Sequence, residues 1–137
     1  MQILCCATPQ GRARQCEFYI QLIKYSLNIG NFNGAHSLLC ALDLCAISRL
    51  GHTWKKVSEK SSKDLASIRE LFSLLNNFQR YYLKLQEWEE KNKQISAENC
   101  IIPCFVTYLK NFTFIDDGNS NHSTEGNLNV EKIRLLS

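Results

Sequence analysis

Apolar residues recur at spacings of three and four along most of the chain, and the alternating pattern of a strand is almost absent. Because an α-helix places such positions on one face, the pattern predicts helices throughout. One long helix is predicted from Arg12 to Ile29, with an apolar stripe so wide that we expect the helix to be largely buried. The stripe consists of Cys16, Tyr19, Ile20, Ile23 and Leu27, widened by Phe18, Leu22 and Tyr25.

A turn is predicted at residues 30–34, where two Gly and two Asn residues surround Phe32. Gly and Asn tolerate positive φ, and short polar side chains compete with the helical backbone. An aromatic residue in such a polar turn indicates that the turn packs against a core. A second helix is predicted from Ala35 to about Cys45, followed by a short linking segment over residues 48–54.

Two more helices are predicted in the middle of the chain. Ser61 and Asp64 have the spacing of a capping box, and an amphipathic helix is expected to follow them. The Asn residues at 76–77 break the pattern, which resumes from Phe78 to Trp88. This pair of helices is predicted to form a helical hairpin.

The last third of the chain predicts a further helix and the start of another. Pro103 suits a first helical position, and apolar residues continue on one face to about Ile115, before a polar stop at residues 116–119. A final helix is predicted to begin near Asn129. Its inward-facing positions are expected to be Val130, Ile133 and Leu136.

Composition narrows the range of functions. The chain has 137 residues, 45% hydrophobic and 21% charged, with a formal net charge of +3, which suits one globular domain. Its basic residues are scattered, which argues against nucleic acid as a partner. Seven cysteines form an odd set without zinc-ligand spacing or a secretory signal, so we expect a reducing compartment and no metal site. No apolar run reaches the length of a membrane span, so any membrane contact is expected to be peripheral. The three histidines lack a paired nucleophile, and nothing indicates a hydrolase or a cofactor.

Four ordered motifs resemble the catalytic domain of Ras-type guanine-nucleotide exchange factors. The first is the turn at residues 31–33, and the second is the segment 48–54, with its Ser-Arg-Leu start and Thr-Trp end. The third, residues 102–119, resembles the family's Ile-Pro…Tyr-Leu…Leu-Thr-Phe-Ile-Glu-Glu-Gly-Asn signature. The fourth, residues 128–134, resembles its Val-Asn-Phe-Glu-Lys-Arg type of helix.

The resemblance implies an all-α fold, an irregular multi-helix bundle with a protruding helical hairpin. Residues 12–137 are expected to form a partial RasGEF catalytic domain that lacks helices at both ends, and residues 1–11 stay an unassigned N-terminal segment. The implied function is non-covalent: a factor that promotes GDP release from a Ras- or Rap-like small GTPase. The alternative is a catalytically inactive GTPase-binding or helical interaction module. The implied location is the cytoplasm, with recruitment to the inner face of the plasma membrane through the GTPase or further domains as an option.

The resemblance also implies roles for individual residues. The GTPase-contacting residues are expected to be Asp43, Phe105, Lys110, Thr113 and Asp117. The residues that support the hairpin are expected to be Asn31, Phe32, Asn33, Arg49 and Trp54. Asp43 departs from the family's usual Asn, and an ionised Asp accepts hydrogen bonds but cannot donate one.

Physical chemistry independently draws attention to Asp116 and Asp117. Both lie at a predicted helix C-terminus, where the helix dipole makes a carboxylate unfavourable by about 0.3–1 kcal/mol. A broken local rule often marks a functional position. A solvated turn closed by Gly118 is the plainer interpretation.

Overall fold

A computed structural model of the chain describes residues 2–92, 101–122 and 127–136. Across these ranges the chain forms nine α-helices and a short 3-10 turn but no strand, which confirms the all-α prediction. The 3-10 turn spans Leu75–Phe78. The helices are α1 (Gln2–Cys5), α2 (Pro9–Asn28), α3 (Phe32–Asp43), α4 (Cys45–Ser48), α5 (Gly51–Trp54), α6 (Glu59–Leu71), α7 (Gln79–Asn92), α8 (Phe105–Gly118) and α9 (Val130–Leu136).

The helices belong to two compact units. The first unit, Met1–Pro103, contains α1 to α7, and the second, Cys104–Ser137, contains α8 and α9. Helix α2 is the centre of the first unit, since it packs on α1, α3, α5 and α6. In the part of the chain that the structure describes, no helix has both the length and the apolarity needed to cross a membrane.

Helix α2 begins three residues before the predicted start. The Thr8 hydroxyl accepts a hydrogen bond from the Gly11 amide at 3.1 Å, and Pro9 occupies the first turn, where its missing N–H costs nothing. The expectation of a largely buried helix was wrong: Phe18 is 58% and Tyr25 62% exposed. The helices that contact α2 cover one side of it, and the core takes only its narrower stripe. That stripe consists of Ala13, Cys16, Ile20, Ile23 and Ser26.

The turn between α2 and α3 is packed down, as predicted. Phe32 is fully buried and meets the ring of Tyr81 edge to face, with 5.6 Å between the ring centroids. Gly30 has a φ of +77°, and an added Cβ there would lie 2.6 Å from a ring carbon of Trp88. The Trp88 indole in turn donates a hydrogen bond to the Asn28 carbonyl at 3.2 Å. Both the backbone angle and the covering ring therefore require glycine.

Helix α6 begins at Glu59, so the predicted capping box at Ser61 and Asp64 was placed too late. Ser58 is the N-cap: its hydroxyl accepts from the Ser61 amide at 3.4 Å. The amide of Ser58 donates to the Glu17 carboxylate at 2.7 Å, a bond that lowers the pKa of Glu17 and ties α6 to α2. Asp64 pairs with Lys24 at 2.7 Å instead of capping. Two tertiary contacts, neither local in sequence, thus surround this helix start.

Gly30→Ala is expected to lower the free energy of unfolding by about 1–3 kcal/mol, because the new Cβ meets Trp88 in a backbone conformation that alanine disfavours. Gly51→Ala is the matched control. Its Cβ would meet no atom within 4 Å, so we expect no loss of stability. Urea unfolding followed by circular dichroism measures both variants, and equal losses would contradict this account of Gly30.

Candidate functional site

The peptide group of Ile102 is held by the α2–α3 turn. The Ile102 amide donates to the Gly30 carbonyl at 2.9 Å, and the Ile102 carbonyl accepts from the amides of Phe32 at 2.9 Å and Asn33 at 3.2 Å. The Asn31 side chain caps α3 by accepting from the Gly34 amide at 2.7 Å. Three of the predicted hairpin-supporting residues therefore form one turn, which fixes the chain immediately before Pro103. We call this contact the Ile102 clasp.

The other two predicted supporting residues lie at α4 and α5. The Trp54 indole donates to the Ile47 carbonyl at 2.9 Å, which links α5 to α4. The Arg49 side chain is exposed, and it makes no hydrogen bond to residues 2–92, 101–122 or 127–136. The predicted bond from Arg49 to buried backbone is thus missing from these ranges. The support of the hairpin by Arg49 and Trp54 stays a prediction.

Helix α8 carries most of the predicted GTPase-contacting residues. Lys110, Thr113 and Asp117 are three and four positions apart, so they share one face of the helix. The Thr113 hydroxyl is held by the Leu109 carbonyl at 3.0 Å. The Lys110 ammonium lies 5.3 Å from the centroid of the Phe114 ring, within range of a cation–π contact. This face, the polar stripe of α8, ends in an acidic residue.

Phe105, the remaining candidate in this unit, belongs to a neighbouring apolar stripe with Leu109 and Phe112. Phe105 as a whole is 60% exposed. The start of α8 is fixed by Thr107, whose buried hydroxyl donates to the Cys104 carbonyl at 2.7 Å. The structure thus places Phe105 on a different side of α8 from the polar stripe.

Asp116 and Asp117 both lie in the last turn of α8, as predicted, and no basic residue of that turn offsets them. Asp116 is offset by α9: the Lys132 ammonium lies 2.5 Å from its carboxylate and donates to its carbonyl at 3.0 Å. The same ammonium donates to the Asn121 side chain at 2.6 Å, and Lys132 as a whole is only 5% exposed. The Asp117 carboxylate is exposed and has no partner in the described ranges. Asp116 is therefore paired within this unit, whereas Asp117 is unpaired among the described residues.

The start of α9 is joined to the end of α8 by Asn129. Its side chain accepts from the Lys132 amide at 3.1 Å and donates to the Ser120 carbonyl at 2.9 Å. The expectation that Val130, Ile133 and Leu136 face inward was wrong, since they are 70%, 55% and 38% exposed. Lys132 is the buried residue of this helix because its ammonium binds the carboxylate and the carbonyl of Asp116 at the end of α8.

Asp43 lies in the first unit, as the last residue of α3. Its carboxylate pairs with Arg69 of α6, with Arg69 nitrogens at 2.5 and 3.1 Å from the same oxygen, Oδ1. His36 and Cys40 share the α3 face with Asp43. The His36 ring packs edge to face on Phe72, with 5.0 Å between centroids, and burial lowers the pKa of His36. The sequence alone did not single out Arg69 or Lys132, because both act through partners on other helices.

Comparison with known proteins identifies the family that the chain resembles. The chain matches the family described as RasGEF domain over residues 1–134. It is 32% identical over 119 residues to Ras guanine nucleotide exchange factor D of Dictyostelium discoideum, which covers 87% of this chain. It is 30% identical to the Rap guanine nucleotide exchange factor of Caenorhabditis elegans and to human Ras-GEF domain-containing family member 1A, which cover 93% and 92% of it.

The chain spans only a small part of these relatives. It covers 16% of the Dictyostelium protein, 8% of the nematode protein and 26% of the human protein. The family match begins at residue 1, before the start at Arg12 that the motifs predicted. That domain boundary stays a prediction.

Asp116→Asn is expected to destabilise the hairpin of α8 and α9 by about 1.5–3 kcal/mol, because the buried ammonium loses its charged acceptor. Asp117→Asn is expected to be neutral, or to stabilise by about 0.3–1 kcal/mol, because it removes an unpaired charge from the negative end of the helix dipole. Hydrogen exchange of the α9 amides, together with urea unfolding, measures the difference. Equal effects of the two variants would contradict the assigned roles.

The free energy of unfolding is also expected to depend on pH through His36. Burial holds its pKa below the ordinary 6.5, so the unfolded chain binds the proton more readily than the folded chain does. This contribution is present above pH 6.5 and is lost as the pH falls toward the lower pKa of the folded state. His36→Leu should therefore reduce the loss of stability between pH 7.5 and 5.5, as measured by urea unfolding at each pH. His52→Leu, which removes an exposed ring, is the control, and the same reduction in both variants would contradict the role of burial.

Proposed function

Because the chain belongs to the RasGEF domain family, we propose that it is a guanine-nucleotide exchange factor that promotes GDP release from a Ras- or Rap-like small GTPase. The chemistry is non-covalent, and the chain acts as a regulator of the GTPase. The proposed place of action is the cytoplasm, where recruitment to the inner face of the plasma membrane would bring it to a membrane-bound GTPase.

The exposed carboxylate of Asp117, which has no partner among the residues that the structure describes, is the observation that carries this proposal. Release of GDP is accelerated by a protein that binds the nucleotide-free GTPase more tightly than the GDP-loaded form. A carboxylate brought close to the phosphates provides such a difference, because it repels phosphate and competes for Mg²⁺. Two unit charges 4 Å apart interact with about 4 kcal/mol at the effective dielectric constant of a protein surface. Asp117 is suited to this role because it is exposed and makes no ion pair within the described part of the chain, whereas Asp116 is paired with Lys132.

The other candidate residues supply contact. Lys110 and Thr113 lie on the same face as Asp117, so a GTPase segment that follows the polar stripe would meet all three. Phe105 offers exposed aromatic surface on the neighbouring stripe. Asp43, on the first unit, is proposed to contact a mobile segment of the GTPase other than the one that meets the polar stripe, as the resemblance to the family implies. The function thus needs both units of the chain.

Release of a fluorescent GDP analogue from a panel of Ras and Rap GTPases tests the proposal. We expect the chain to accelerate release from at least one of them. Asp117→Ala should slow the maximal release rate by about tenfold or more, a loss of about 1.4 kcal/mol at the transition state. Glu90→Ala is the control, since it removes an exposed carboxylate from α7, a helix of the first unit that carries none of the candidate residues.

The outcomes separate the proposed function from its alternative. If the chain binds nucleotide-free GTPase but leaves the release rate unchanged, it is the inactive GTPase-binding module. Absence of both binding and accelerated release across the panel would reject the proposed function. A loss of activity in Asp117→Ala accompanied by unfolding in circular dichroism would assign Asp117 a structural role instead.

A further inference from the structure

The carboxylate of Asp43 is held in an asymmetric way. Two nitrogens of the Arg69 guanidinium, Nη2 and Nε, approach Oδ1 at 2.5 and 3.1 Å. The second oxygen, Oδ2, has no hydrogen bond to any residue in 2–92, 101–122 or 127–136. An ionised carboxylate has about four acceptor positions, so Oδ2 retains its capacity to bind a donor. The carboxylate side chain is 42% exposed, which leaves it accessible to a partner.

The two helices that carry the pair are fixed by the core. Leu39 and Leu42 of α3 are buried, and so are Leu65 and Ile68 of α6. Ile68 immediately precedes Arg69 in the chain. The positions of Asp43 and Arg69 are therefore set by helix packing. A half-exposed pair of this kind contributes little to stability. What the pair does provide is a fixed orientation of the carboxylate.

We propose that Arg69 is a positioning residue of the exchange surface, which holds Asp43 through Oδ1 so that Oδ2 faces the GTPase as a fixed acceptor. The inference rests on the proposed function and adds a statement about the partner: the GTPase offers an N–H or O–H donor, or a cationic side chain, at this point. The asparagine that the family usually has here could present a donor. With Asp43 and Arg69 the chain selects GTPases by acceptor chemistry instead.

The surroundings of Arg69 suit such a contact. Arg69 lines a depression of about 360 Å³, whose other lining residues are Ser48, Gly51, Trp54, Ser62 and Leu65. A side chain of the GTPase that enters this depression would pass the guanidinium. An oriented pair at the edge of a concave surface recognises a partner more selectively than a mobile surface carboxylate, because less side-chain entropy is lost on binding.

The test measures GDP release at increasing concentrations of GTPase and reports KM and the maximal rate separately. Arg69→Met keeps the apolar stem of the side chain and removes every donor. We expect it to raise KM by about tenfold and to leave the maximal rate within about twofold of the original, because docking is weakened and the polar stripe is untouched. Arg69→Lys should recover part of the loss, since it restores a charged donor. Arg80→Met is the matched control: it removes an arginine that pairs with Glu70 at 2.7 Å and leaves Asp43 intact.

A double-variant cycle tests whether Arg69 acts through Asp43. Asp43→Asn should raise KM in the same way, and adding Arg69→Met to it should change KM by less than about twofold. Three results would overturn the inference. One is a double variant whose increase in KM is the product of the two single increases. The others are a changed maximal rate, and a KM of Arg69→Met equal to that of Arg80→Met. Thermal unfolding of each variant identifies a purely structural effect, which would overturn it as well. If the unaltered chain is active while Arg69→Met changes nothing, only this inference fails; an unaltered chain that neither binds nor releases any GTPase of the panel rejects the proposed function itself.

Discussion

The Ile102 clasp is the constraint on which the rest of this chain depends. A backbone amide and carbonyl from residue 102 bond to the turn at residues 30–33, far away in sequence, so the turn satisfies both polar backbone groups of that residue. The clasp needs Gly30 for its positive φ, Asn31 to cap α3 and Phe32 to anchor the turn in the core. Each requirement has a different physical origin, and together they fix the chain within three residues of the start of α8.

The second unit handles an electrostatic conflict in two different ways. Two adjacent carboxylates at the end of α8 oppose the helix dipole. The buried residue Lys132 resolves the conflict for Asp116 with two contacts, to its carboxylate and its carbonyl, and nothing in the described ranges resolves it for Asp117. Folding thus stabilises the two adjacent carboxylates through Asp116 alone. Asp117 has no such partner among the described residues. A residue that stays unfavourable in the folded chain has binding energy to gain from a partner, which is why Asp117 is the better functional candidate.

The sequence predicted the features that depend on local patterns. Spacings of three and four predicted the helices, and the polar turn around Phe32 predicted a buried anchor. The predictions were wrong where a residue far away in sequence determines the helix start or the buried face. Helix α6 starts at Ser58, whose amide bonds to Glu17, and α9 buries Lys132 in place of its apolar residues because the end of α8 supplies acceptors. Neither partner is visible in a window of neighbouring residues. The candidate site was predicted by its motifs, while the basic residues that orient its carboxylates were not.

Arg69 and Lys132 show a common arrangement on the two units. Each basic side chain engages part of an acidic site, and within the described residues another acceptor stays open: Oδ2 of Asp43 in the first case, the neighbouring Asp117 in the second. Without the basic residue, the carboxylate would not be held in one orientation. If every acceptor were paired, none would remain to bind a partner. Partial compensation avoids both outcomes, since the charge that remains is held in place by a rigid helical frame. A regulator that acts by differential binding, with no covalent step, needs this combination of order and unsatisfied charge.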